Sequence, residues 1–178
     1  PIGIVKGCKE LIESNLIKKL PRLMLVQSDR CAPMANAWKL SKERGFPSNW
    51  QNNYPIYENP DTEINTLATG NPTAYPILSD YVKDTNGEII DFPEELVYDL
   101  ARIVACETAV RLGPAAVVAV GGFFSALQKG HISSNEVILI NIGEGIRRDP
   151  EFMVRLNKEK LKIYQSKDCS LFDRNKYR

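Results

Sequence analysis

Hydrophobic and polar positions along this chain fall into two periods, one helical and one extended. At the start, Ile4, Val5, Cys8, Leu11 and Ile12 share one face at helical spacing, which predicts an amphipathic helix over 2–14. After Pro21, the apolar run 23–26 predicts a short buried strand. Pro33 suits the first turn of a helix that reaches residue 44, with Met34, Ala37, Trp38 and Ser41 along one side. Residues 45–61, rich in proline, asparagine and aromatic rings, read as an ordered surface loop. A short helix over 75–83 is closed by Asn86-Gly87, and 89–92 reads as a second strand. Pro93 starts a long helix to residue 109, with Glu94 and Glu95 near its positive end. Pro114 starts a nearly all-apolar helix through 127, and its Gly121-Gly122 pair predicts close packing against a neighbour. Gly130 is its natural stop. The run 137–142, VILINI, reads as a third strand, buried on both faces as in a parallel sheet.

Strands separated by helices in this order predict an α/β fold, a three-layer α/β/α arrangement with a mostly parallel sheet. Three parallel strands make a small sheet, so further strands from upstream sequence are expected. The 178 residues suffice for one domain with a substantial core.

Composition narrows the class. With 43% hydrophobic and 25% charged residues the chain is ordinary for a soluble globular protein. A net charge of +1 gives no reason to expect a nucleic-acid partner. No apolar run reaches membrane-spanning length, so no membrane partner is expected. Cys8, Cys31, Cys106 and Cys169 lie without metal-ligand spacing, which points to free thiols in a reducing cytoplasm. The single histidine, His131, makes a histidine-built metal site or a Ser-His-Asp triad improbable. The stretch 155–178 carries eight basic and three acidic residues and reads as a solvated basic tail, distinct from the body 1–154.

The strongest candidate for chemistry is the turn that follows 137–142. Ligands of open α/β sheets bind past the carboxyl ends of strands, where backbone N–H groups are free and glycine permits close approach. Asn141, Ile142, Gly143, Glu144 and Gly145 occupy that place. A lone Gly-x-Gly is a weak signal, and on that motif alone a plain tight turn after a core strand is the better reading.

Four segments taken together carry a resemblance. PIGIVKGCKELIESNLIKKLPRLMLVQSDRCAPMANAWK, TLATGNPTAYPIL, EELVYDLARIVACETAVRLGPAAVVAVGGFFSALQKGHI and VILINIGEGIRRDP, in this order, resemble the threonine synthase-like branch of fold type II pyridoxal-phosphate enzymes. The resemblance runs over 1–150. It implies pyridoxal 5'-phosphate as cofactor, a phosphorylated amino acid as substrate, and an incomplete fold type II domain. Without upstream elements, part of the apolar helix 114–127 would be exposed, and such a patch predicts a homodimer or larger species. The phosphate loop and the Schiff-base lysine lie upstream in that family, so Lys6, Lys9, Lys18 and Lys19 are not assigned that role, and only Gly3 belongs to the loop's edge. Gly70 and Asn71 resemble the segment lining the cofactor ring. Gly113, with Pro114 and Ala115, resembles a Glu-Pro-small turn, the glutamate being replaced by glycine.

One further departure concerns the ring nitrogen. The family places a serine or threonine hydroxyl there, and this chain has Ile142, which cannot hydrogen-bond. Asn141 or Glu144 are the nearest polar substitutes, and a carboxylate there would favour a protonated ring. A cysteate synthase-like enzyme and a non-catalytic anion-binding α/β module remain the alternatives.

Overall fold

The computed structural model describes residues 1–158. Its elements are α1 (Ile2–Glu13), β1 (Met24–Ser28), α2 (Pro33–Glu43), α3 (Tyr75–Asp84), β2 (Glu88–Phe92), α4 (Val97–Thr108), α5 (Pro114–Gln128) and α6 (Pro150–Lys158). Helix boundaries follow local chemistry. Proline stands in the first turn of α2, α3 and α5, where its missing N–H is not needed. The turn after α3 needs positive φ, and Asn86 supplies it at 54°. Gly130 does the same at 71° just past α5. The segment opened by Pro93 begins as a tight turn over Glu94–Leu96 before α4 proper. The surface loop is anchored by Trp50, which is buried against Trp38, Phe46 and Tyr75.

β1 and β2 pair in parallel, from Met24 opposite Glu88 to Ser28 opposite Phe92. Side chains alternate across this ribbon, as the period of two requires. Val26, Ile90 and Phe92 face α5, whereas Leu25 and Ile89 face α2 and α3. α4 packs on α5, and α6 on α4. The result is the expected α/β/α layering, built on a two-stranded sheet. Gly121 and Gly122 sit where α5 crosses it. A Cβ on Gly121 would lie 2.6 Å from the Phe92 ring, and one on Gly122 would overlap the methyls of Val26. The close packing predicted from the glycine pair is therefore met by both strands.

The third strand does not form. Residues 137–142 carry no ladder, and among the described residues the sheet is β1–β2 alone. The run is exposed rather than buried: Val137 is 101% and Leu139 95% accessible, against 40% for Ile138 and 49% for Ile142. That alternation is strand-like, with every second side chain leaning on the body. β-branched residues favour the extended backbone, but a strand also needs a neighbour to take its N–H and C=O groups. No helix of the described residues is long and apolar enough to cross a membrane. The basic tail, Arg155–Lys158 apart, lies outside the described residues.

Candidate functional site

The carboxyl ends of β1 and β2 are drawn together by a carboxylate that the sequence pattern did not single out. Glu94 is buried, and its side chain accepts hydrogen bonds from the Ser28 hydroxyl, the Thr62 hydroxyl (2.5 Å) and the Glu63 N–H (2.8 Å). Its own N–H donates to Asp29 (2.9 Å). Glu94 does stand at the start of the helical segment, as its place near a positive helix end predicted, and its side chain is also the joint between both strands and the 62–64 loop. Cys31, fully buried beside it, has its thiol pushed up by burial and then by Glu94, which makes it an unreactive core thiol.

The glycine turn 143–145 is fixed on the N-terminus of α5. Leu112 and Gly145 form an antiparallel bridge. The Gly113 N–H donates to the Glu144 carbonyl (3.3 Å), the Ile146 N–H donates to the Arg111 carbonyl (3.4 Å), and the Ala115 N–H donates to the Glu144 carboxylate (3.0 Å). Glu144 is half-buried here rather than a solvated turn residue. Asn141, Ile142 and Gly143 are exposed next to it.

A cavity of about 640 Å³ opens between this turn, the start of α4 and the start of α6. Seven carboxylates, Glu94, Asp99 and Glu144 among them, line it with two guanidinium groups, Arg30 and Arg155. A phosphate is repelled by such a wall, so this cavity does not suit the phosphate end of a cofactor. α1 suits it better. The first turn of α1 holds no acidic residue, which suits an anion near its positive end.

The glycines separate into two kinds. A Cβ on Gly3, Gly143 or Gly145 would meet nothing within 4 Å, as is also true of Gly7, Gly45 and Gly130, so open space lies beside them. A Cβ on Gly70 would collide with the Tyr57 carbonyl oxygen, and one on Gly113 would lie 2.7 Å from Glu144 Cγ. The absence of a side chain at Gly70 and Gly113 is thus accounted for by protein atoms. Asn71, beside Gly70, is exposed. His131 lies apart from all of these, 3.5 Å from Glu88 at the start of β2. Burial holds its pKa below the usual histidine range, against the opposing pull of Glu88. Among the described residues no group of three or more His, Cys, Asp or Glu is placed to hold a metal ion.

The chain as a whole has relatives among known proteins. The family model for pyridoxal-phosphate dependent enzymes matches residues 1–143. A threonine synthase of Methanocaldococcus jannaschii is 26% identical over 162 residues, 90% of this chain and 38% of that protein. A cysteate synthase of Methanococcoides burtonii is 28% identical over 149 residues, 81% of this chain and 33% of that protein. One from Methanosarcina barkeri is 24% identical over 158 residues, 86% and 38%. The chain spans between a third and two-fifths of the length of these relatives. A family match over 143 of 178 residues, joined to the parallel α/β core, places this chain in the pyridoxal-phosphate dependent enzyme family.

Proposed function

We propose that residues 1–158 form the cofactor-facing part of a threonine synthase-like lyase or synthase acting on a phosphorylated amino acid. The family match through Gly143, ending where a glycine turn stands open beside α5, carries this reading. Pyridoxal phosphate, when bound, supplies an electron sink for bonds at a substrate's Cα. In this chain Gly3 and the start of α1 would face the phosphate, while Asn141, Ile142 and Gly143 would face the ring. Gly70, Asn71 and Gly113 shape the surrounding backbone. Ile142 offers the ring only apolar contact, so the polar groups left to meet its nitrogen are Asn141 and Glu144. A homodimer is the assembly this reading expects.

The cysteate synthase-like alternative draws on six relatives of that name, the two above among them, each 24–28% identical to this chain. It differs in the nucleophile that the enzyme adds.

The reading is tested on the purified chain. Titration with pyridoxal 5'-phosphate should give a weak, saturable circular-dichroism band in the cofactor's absorption region. Gly143→Val, which fills the open turn, should weaken that binding at least about tenfold. Borohydride trapping and peptide mapping should find no stoichiometric adduct at Lys6, Lys9, Lys18 or Lys19. An unsaturable signal, a Gly143→Val variant that binds like the parent, or a stoichiometric adduct at one of those lysines would each overturn it.

A further inference from the structure

Helix α5 starts without any means of capping itself. Its N-cap residue is Gly113, which has no side chain, and Pro114 follows at the first helical position. The first intrahelical bond runs from the Val117 N–H to the Gly113 carbonyl (3.0 Å). The Ala115 N–H is therefore an orphan donor at the positive end of a helix, in half-buried surroundings. Glu144 answers it from 29 residues away, its carboxylate 3.0 Å from the Ala115 nitrogen. The same residue's carbonyl accepts from Gly113, and its neighbour Gly145 bridges Leu112. The side chain can reach only because Gly113 is bare: a Cβ there would lie 2.7 Å from Glu144 Cγ, 2.9 Å from Cδ and 3.0 Å from Oε2.

We propose that Glu144 is a positioning residue, and that Glu144 and Gly113 form a latch holding the 141–145 turn against the start of α5. The latch rests on the cofactor reading only for its purpose, which is to present Asn141–Gly143 in one place. Its geometry stands without that reading. Glu144 is thereby committed to α5, so of the two polar substitutes for a ring-facing hydroxyl, Asn141 is the one left available.

Gly113→Ala displaces the Glu144 side chain and so undoes the same hydrogen bond that Glu144→Ala removes. The two substitutions therefore act through one interaction and are not additive. Native-state amide exchange of the purified chain reads this directly, with no cofactor present. Glu144→Ala and Gly113→Ala should each speed exchange at Ala115 and Ile146 at least about tenfold, and the double variant no further. Glu144→Gln keeps an acceptor oxygen and should restore most of the protection. Amides of Leu25 and Ile90, which face the partner strand in the sheet, should be unmoved in all four variants, which a general loss of stability would not allow. Additive effects, an Ala115 amide indifferent to Gly113→Ala, or sheet amides that accelerate in step would each overturn the latch. A failed cofactor titration leaves this result untouched, so the two readings fail separately.

Discussion

At Gly122 two residue-level forces oppose each other, and their magnitudes decide the outcome. Alanine in mid-helix is favoured over glycine by about 1 kcal/mol. Here its methyl would overlap Val26 on a strand that packs between two layers, and overpacking of that kind costs about 1–3 kcal/mol. Gly122→Ala should therefore lower stability in urea unfolding, and combined with Val26→Ala it should cost less than the two singles added. A Gly122→Ala variant as stable as the parent would show that α5 can lift off the sheet. The Gly121-Gly122 pair was legible in the sequence because glycine within an apolar helix has few other uses. Gly70 and Gly113 were not legible in the same way. Glycine at a ligand and glycine beside a carbonyl or a glutamate look alike until the neighbour is known.

Between elements, the joint at Glu94 carries the greatest consequence. Its carboxylate ties the end of β1 through Ser28 to the 62–64 loop through Thr62 and Glu63, while its backbone is held by Asp29. Hydrogen bonds to a charged group contribute about 1.5–3 kcal/mol each, and Ser28 is fully buried, out of reach of bulk solvent. Glu94→Ala should cost about 2–4 kcal/mol in urea unfolding and release the Glu63 amide to faster exchange. A loss below about 0.5 kcal/mol would mean that the joint merely decorates the strand ends. A second cap of this remote type explains the entry to α2. Its N-cap is Ala32, and Gln27 at the end of β1 accepts from the N–H groups of Met34 (2.8 Å) and Ala35 (3.0 Å). The starts of both helices were marked by their prolines, but the groups that cap them were invisible, because each lies on another element.

For the whole molecule, the exposed run 137–142 sets the behaviour in solution. It holds no charge, proline or glycine, the residues that usually guard an open strand against pairing. It is tethered at one end by Glu136 to Arg22 (2.8 Å) and at the other by Gly145 to Leu112. Light scattering should show concentration-dependent association of the purified chain, and Leu139→Lys should shift it toward monomer without altering the melting temperature. A monomer at high micromolar concentration, or association indifferent to Leu139→Lys, would sink that expectation. What the sequence by itself determined is local: five of the six helices to within a turn at their ends, two of the three strands, the parallel α/β order and the family resemblance. Periodicity, proline in first turns and asparagine or glycine at turns act within a few residues of themselves, so they can be read along the chain. Only the tertiary structure decided where the two decisive carboxylates go, which glycines stay open, and that 137–142 stays without a ladder. Those outcomes depend on partners 66 residues away for Glu94 and Ser28, and 29 away for Glu144 and Ala115. A hydrogen bond or a steric clash is a property of the pair, and the chain must fold before the pair exists.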